Sequence, residues 1–274
     1  REHKLRNLAR ARPQEGFRLV EGDLLDLEPG ELLRGVAGVV HLAAQPGVRA
    51  SWGDNFPLYL RRNVEATQRL LEAASGSGLG RFVFASSSSV YGPAGDRPVT
   101  EDAPRRPASP YGLSKLAAEE LVALYGRERG VPATVLRYFT VYGPRQRPEM
   151  ALARFIGAAA RGRPVEVFGD GTQTREMTYV SDVVAATVAA LEAPPGVYNV
   201  GGGVQATVND LVAAVGRALG APVEARYGPA AEGDVRSTWA DTTRARRELG
   251  FKPRVGLEEG IEAQVEWTLR EAAG

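Results

Sequence analysis

Four short runs in the first half of the chain are richer in apolar and β-branched residues than their surroundings: FRLVEGD (17–23), AGVVHLAA (37–44), RFVFASSS (81–88) and ATVLRYFTVYG (133–143). A segment with helical character separates each from the next. Strands alternating with helices predict βαβ units and a parallel sheet. VVHLAA and RFVFA are close to continuously apolar, as strands covered on both faces are. The expected class is α/β, a doubly wound parallel sheet.

After Gly143 the rhythm changes. A helical run PEMALARFIGAAARG (148–162) leads to VEVFGDG (165–171), TREMTYVSDVVAATVAALEA (174–193), VYNVGGG (197–203) and the helix TVNDLVAAVGRALG (207–220). Thr207 and Asp210 have the spacing of a capping box at the start of that helix. The chain thus divides into residues 1–142 and a smaller substrate-covering region, 143–274, built on the same sheet. The Pro-rich stretch GPAGDRPVTEDAPRRPASP (92–110) predicts a long loop, and loops of that length in compact domains are often functional.

With 274 residues and 43% hydrophobic content, the chain buries a sizeable core as one large domain or two intimate ones. Its net charge of +1 is scattered as Arg and Glu, which gives no nucleic-acid stripe and no polybasic membrane patch. No apolar run approaches the roughly 18 residues of a membrane helix, and the first residues lack a signal-peptide core, so a cytoplasmic address is expected. Without cysteine, and with His3 and His41 as its two histidines, the chain offers no disulfide, no thiolate and no Cys/His zinc site, and no metal is expected. Proton chemistry falls to Tyr, Lys, Asp or Glu.

Ligands of open α/β sheets collect outside the carboxyl ends of the strands. Asp23 follows the first run, where a carboxylate can accept from an adenine amino group; an aspartate opening a loop is equally expected there. HLAAQPG ends in Ala43 and Ala44, which let a ring system or pyrophosphate approach the backbone, although strand-end packing alone explains them better. FASSSSVYG presents Ser86 to Ser89 at the same edge. The stretch SPYGLSK then places Tyr111 four residues before Lys115, one of only three lysines in the chain. On a helix the two side chains share a face. A compact ammonium reaches ribose hydroxyls and a phenol oxygen as a planar guanidinium does not. A nearby cation lowers a tyrosine pKa, so Tyr111 is expected to titrate closer to neutrality and to act as a base.

In this order GDLLD, HLAAQ, SSSSVYG, YGLSK, RYFTVYGPRQRP, GDGTQTREMTYVSD, YNVGGG and DTTRARRELGFKP resemble the extended short-chain dehydrogenase/reductase family, in particular its NAD-dependent nucleotide-sugar epimerases and dehydratases. The resemblance covers essentially the whole chain and implies a Rossmann-like fold with NAD as cofactor. It implies Tyr111 as catalytic base, Lys115 as its ribose-anchoring partner and Ser87 as the catalytic hydroxyl. Beside Tyr111 and Lys115, the implied cofactor contacts are Asp23, Leu24, Leu42, Ala43, Ala44, Gln45, Ser86 and Tyr138. For the nucleotide sugar they are Ser87, Ser88, Ser89, Thr140, Arg147, Met150, Ala151, Phe168, Arg175 and Arg236, the last two as diphosphate contacts. Tyr179, Asn199 and Trp239 are assigned to packing. The helices near 56–74 and 111–129 resemble the pair that forms the family's four-helix homodimer interface. One departure stands out: the glycine-rich turn that seats the cofactor pyrophosphate is absent, and GGG at 201–203 follows a late strand. An N-terminal βαβ portion, on the order of 40 residues, is therefore expected ahead of Arg1.

The reaction class turns on the residues before Val90. The family's dehydratases carry Thr-Asp-Glu in that slot and its decarboxylases a glutamate, whereas this chain has Ser87, Ser88 and Ser89. With no carboxylate there, a transient 4-ketone is expected to receive hydride on its opposite face, which is epimerisation. Thr140 and Arg147 resemble the UDP-glucuronate 4-epimerases, in which either can hold the C5 carboxylate and restrain loss of carbon dioxide; for Arg145 and Arg147, surface loop positions or phosphate contacts remain open. UDP-glucose 4-epimerase is the second reading and UDP-glucuronate decarboxylase the third. A catalytically silent NAD-sensing scaffold is the non-enzyme alternative.

Overall fold

The computed structural model describes residues 2–273 apart from 94, 96, 231, 232 and 234. Four strands, β1 (Gly38–His41), β2 (Arg81–Ser87), β3 (Ala133–Tyr138) and β7 (Gly196–Val200), form a parallel sheet in the order β1-β2-β3-β7. The alternation of their side chains explains why they read as apolar throughout. Phe82, Phe84 and Val135 point to one face and pack with Leu70, Leu71, Ala118 and Val122 from helices α4 (Ala66–Ala74) and α5 (Pro110–Arg129). Val83, Leu136, Tyr198 and Val200 point to the other and pack with Val183 and Ala186 of α7 (Val180–Ala189) and Ala245 of α9 (Thr243–Glu248). Cover on both faces keeps β2, β3 and β7 largely apolar, and among their buried polar residues Ser86, Arg137 and Asn199 are hydrogen-bonded, whereas Val40 of β1 is exposed. Each buried Phe, Leu or Val on these faces contributes about 1.5–3 kcal/mol relative to exposure.

The remaining strands form two smaller sheets. In one, β6 (Thr174–Tyr179) pairs in parallel with β4 (Val141–Tyr142) and antiparallel with β8 (Val204–Thr207). In the other, β5 (Val165–Phe168) pairs with β9 (Ala225–Gly228). A second core gathers Leu152, Phe155 and Ile156 of α6 (Ala151–Ala159), Leu211 and Val215 of α8 (Val208–Leu219), and Ile261 and Val265 of α10 (Leu257–Ala273). Strand β7 belongs to the late part of the chain yet completes the first sheet, so the two halves interleave. The run 133–143 divides where the chain leaves the large sheet for β4, and 174–193 divides at Tyr179 into strand and helix. The capping box of α8 is present, with Thr207 Oγ1 accepting from the Asp210 amide at 3.0 Å and Asp210 accepting from the Thr207 amide at 2.9 Å.

One predicted strand is not formed. Residues 17–23 are coil, and Phe17, Leu19 and Val20 are exposed. A strand needs a neighbour to complete its ladder, and among the described residues β2 is the only strand paired with β1. The GGG at 201–203 has a structural reason. A side chain at Gly202 would run into the Met177 carbonyl, and one at Gly201 into the Glu176 carboxylate. Glu176, fully buried, accepts from the Gly203 amide at 2.7 Å and from the Ala240 amide, which ties the end of β7 to β6. Burial raises the Glu176 pKa against these bonds.

Candidate active site

Helix α5 starts with Ser109 as N-cap, its hydroxyl accepting from the Gly112 amide at 3.1 Å, and with Pro110 in the first turn. This start delivers Tyr111 to the carboxyl ends of β2 and β3. The approach is close: a Cβ at Gly112 would lie 2.5 Å from the Ser89 carbonyl oxygen. Gly112→Ala is therefore expected to overpack this junction by about 1–3 kcal/mol, read as a drop in Tm. Gly126, on the same helix, meets nothing nearer than 3.5 Å, so Gly126→Ala is expected to stabilise by up to about 1 kcal/mol through helix propensity. Equal Tm changes in the two variants would contradict the close approach.

Strand β2 ends at Ser87, which caps a one-turn 3₁₀ helix (Ser88–Val90) by accepting from the Ser89 amide at 3.1 Å. The Ser87 hydroxyl donates to that of Ser89 at 3.1 Å and lies near enough to the Tyr111 phenol to pull its pKa down. The phenol packs edge-on against Tyr59 with ring centroids 6.2 Å apart. Tyr59 is held in turn by donating to the carbonyls of Pro46 and Gly47 at 3.0 and 2.8 Å. Lys115 is 3% exposed, its ammonium 4.2 Å above the Phe84 ring. Burial lowers the Lys115 pKa to about 7, and the charge of Glu119 pushes the other way.

The expectation of a lowered Tyr111 pKa is not met in the protein alone. Burial raises it, outweighing the influence of the nearby Ser87 hydroxyl and the positive field of Arg147. The Lys115 ammonium sits over Phe84, and with its pKa lowered to about 7 it is only partly charged near neutrality, which weakens the cation expected to lower the phenol.

Ser86 to Ser89, Tyr111, Tyr138, Thr140, Arg147, Met150 and Arg175 line one cavity of about 510 Å³, together with Pro46 to Val48 and Arg145. Among the described residues its wall holds three arginines, Arg145, Arg147 and Arg175, and no carboxylate. Arg145 takes a left-handed backbone conformation, φ 67°, unusual for a residue with a side chain. Arg147 pairs with Glu149 at 2.9 Å and is felt by both the Tyr111 and Tyr59 phenols.

The other expected residues make the following contacts within the protein. Asp23 follows coil rather than a strand and accepts from the Leu25 amide at 3.0 Å. Leu24 packs on the core beneath α4 and α5, and Leu42 is 61% exposed. Ala43 and Ala44 follow β1 without a strand partner, and the Gln45 carboxamide oxygen accepts from Arg62 at 2.8 Å. Ser86 turns its hydroxyl onto Glu119, and the Tyr138 hydroxyl pairs with that of Thr187 at 2.8 Å. Ala151, Phe168 and Arg236 lie outside the cavity wall. The guanidiniums of Arg49 and Arg154 lie over the Phe168 ring, 4.0 and 5.6 Å from its centre, and Arg236 is exposed near Asp170.

Asn63 was not anticipated. It lies in a π-helical turn (Leu60–Glu65) that continues α3 (Phe56–Tyr59) and is 1% exposed. Its Oδ1 accepts from the Gln45 amide at 2.6 Å, and its Nδ2 donates to the Gln45 carbonyl at 3.0 Å and the Ser114 hydroxyl at 2.9 Å. One amide side chain thus joins the loop after β1 to the residue preceding Lys115. The polar Asn within the run LRRNVEAT was the available signal. Among the described residues no cluster of His, Asp and Glu could hold a metal, and no helix is long and apolar enough to cross a membrane.

Residues 1–201 match the NAD dependent epimerase/dehydratase family. Among curated proteins, the chain is 40% identical over 265 residues to a Bacillus subtilis protein described as an uncharacterised UDP-glucose epimerase, YtcB, with 96% of this chain and 84% of that one covered. Among solved structures, it is similar to UDP-glucuronic acid 4-epimerase from Bacillus cereus in complex with UDP-glucuronic acid and NAD. The TM-score is 0.96 at 39% identity, covering 98% of this chain and 87% of that one. MoeE5 in complex with UDP-glucose and NAD gives a TM-score of 0.90 at 44% identity, covering 99% and 95%. With these likenesses spanning both the sheet and the later region, the chain belongs to the NAD dependent epimerase/dehydratase family.

Proposed function

We propose that the protein is an NAD-dependent UDP-sugar 4-epimerase whose substrate is UDP-glucuronate. The observation that carries this reading is the make-up of the cavity: Tyr111 and Ser87 in contact, three arginines, and no carboxylate among the described wall residues. A diphosphate and a sugar carboxylate suit such a wall. Eliminating water needs an additional acid or base beside the sugar, and the serines supply none. The relatives bound to UDP-glucuronic acid and UDP-glucose support a UDP-sugar in the cavity.

The site fits NAD. Lys115 is buried, and among the described residues no oxygen accepts from its ammonium, so its donors are available to ribose hydroxyls. Lys115, the segment Leu42–Gln45 and Tyr138 would hold the cofactor at the carboxyl ends of β1 to β3. When bound, NAD supplies the acceptor and then the donor of the C4 hydride. Tyr111 takes the C4 hydroxyl proton, Ser87 hydrogen-bonds the same oxygen, and Tyr111 returns the proton once the ketone has been reduced on its other face. Thr140 and Arg147 hold the C5 carboxylate, which keeps the β-keto acid from losing carbon dioxide.

Incubating the protein with UDP-glucuronate and NAD, followed by chromatography with mass detection, is expected to give a new peak of unchanged mass. A product lighter by carbon dioxide would replace this reading with decarboxylation. Turnover of UDP-glucose alone would make the neutral sugar the substrate.

A homodimer belongs to the same proposal. Leu58 and Leu60 before α4, and Leu113 and Leu124 on α5, are between 38% and 49% exposed, which suits helix pairing across a two-fold axis. Light scattering at micromolar concentration is expected to give twice the chain mass, and a monomer would remove the dimer from the proposal.

A further inference from the structure

Helix α5 presents Tyr111, Lys115 and Glu119 at successive intervals of four, one stripe along a single face. Tyr111 lines the cavity and Lys115 lies one turn inward; Glu119, a turn further in, is 3% exposed. Its carboxylate is approached from three other elements. Ser86 of β2 donates its hydroxyl hydrogen. Arg137 of β3 donates from Nε to both oxygens, at 3.1 and 3.2 Å, and from a terminal nitrogen at 2.8 Å. Arg105, in the loop before α5, lies 3.9 Å away and pairs with Glu120.

Arg137 is itself 2% exposed and spends its other terminal nitrogen on the Tyr91 hydroxyl at 2.7 Å and the Glu101 carbonyl at 2.8 Å. Burial works against the Arg137 charge, and the bonds and field of Glu119 more than offset it, so its pKa stays raised. A buried ion pair is weak evidence for stability, because apolar replacements often do as well. Here its neighbours give it another consequence. Ser86 adjoins Ser87, and Arg137 adjoins Tyr138, so one carboxylate ties α5 to both strand ends at the cavity. The Ser87 and Tyr111 side chains meet across this tie.

We propose that Glu119 is the positioning residue of the site: it fixes α5 against β2 and β3 through Ser86 and Arg137, and it supplies the negative charge that keeps the buried Lys115 ammonium protonated. The inference rests on the reading of Tyr111 and Lys115 as the proton-handling pair. Glu119 is the acid that acts on Lys115. His41 of β1 also faces the lysine; burial, and then the Lys115 charge, hold its pKa near 3, so it stays neutral. Without the Glu119 charge, Lys115 loses its proton at a lower pH.

The chain's three lysines, Lys4, Lys115 and Lys252, make this directly readable. The full chain is labelled with lysine carrying ¹³C at the ε-carbon, its Lys115 signal assigned by loss in Lys115→Met, and titrated by NMR. The native signal is expected to titrate near pH 7, and in Glu119→Gln the midpoint is expected about one pH unit lower, a tenfold change in protonated fraction above it. Turnover of UDP-glucuronate at pH 8 is expected to fall about tenfold with KM nearly unchanged, following that fraction. Glu119→Asp, which keeps the charge, is expected to restore the native midpoint.

If the unpaired Arg137 unfolds the single variant, Glu119→Gln combined with Arg137→Gln carries the same titration. A native midpoint in whichever neutral variant folds overturns the inference, whatever happens to Tm. The titration needs no substrate, so failure of the native protein to epimerise would count against the proposed function while leaving Glu119 testable.

Discussion

Tyr111→Phe is expected to lower kcat for epimerisation by about 10²–10⁴-fold, the usual worth of a positioned proton-transfer group, with KM little changed. The substitution removes one oxygen and leaves the ring. Tyr59 still packs edge-on against it, and the cap formed by Ser109, Pro110 and Gly112 is untouched, so Tm is expected to stay near the native value. Ser87→Ala is expected to cost less, because it removes a hydrogen bond to the reacting oxygen rather than the group that carries the proton.

The pH dependence follows from the same geometry. Burial raises the Tyr111 pKa and lowers that of Lys115 to about 7, so near neutrality the phenol is protonated while the lysine is losing its charge. A base must be ionised to accept a proton and the lysine must keep its charge; with the lysine pKa about 7 and the phenol pKa raised, activity rises with pH up to about 7, levels off, and falls only beyond the phenol pKa. The two groups are neighbours on one helix face, and the measured limbs belong to the pair. Steady-state assays across pH with the purified variant decide the matter. A Tyr111→Phe protein that keeps more than about a tenth of native kcat would assign the proton transfer to another group.

The sheet was legible because burial on both faces favours continuous apolar runs such as RFVFA; VVHLAA reads the same way although Val40 and Leu42 are exposed. The start of α5 was legible through Ser109 and Pro110, and the capping box through Thr207 and Asp210. FRLVEGD misled because strand propensity describes a surface that needs a partner, and a seven-residue run says nothing about which strand lies beside it. The Tyr111 pKa misled for a related reason. Spacing along a helix places Lys115 on the right face, but it does not reveal that Phe84 receives the ammonium or that burial outweighs charge. Asn63, Glu119 and Arg137 were invisible as a group, since their side-chain partners lie 14 to 51 positions away in sequence. Such polar side chains look like solvated residues until the fold buries them.

Arg147→Ala is expected to separate the sugars. The cavity wall offers Arg145, Arg147 and Arg175 to an anionic ligand, and only a uronate brings a carboxylate in addition to its diphosphate. Removing a hydrogen bond to a charged group costs about 1.5–3 kcal/mol, roughly 10–100-fold. That loss is expected in kcat/KM for UDP-glucuronate, with UDP-glucose changed by no more than a few fold. Arg147 begins from an exposed pairing with Glu149 at 2.9 Å, a contact of about 0–1 kcal/mol that a substrate carboxylate displaces easily. Glu149→Ala is therefore expected to leave UDP-glucuronate turnover intact or slightly improved. Without its clamp the 4-keto uronate is freer to lose carbon dioxide, so a trace of lighter product is expected from Arg147→Ala and not from the native protein. Equal losses with both sugars would instead place Arg147 on the diphosphate, which both share, and Thr140 would then be left to hold the C5 carboxylate alone.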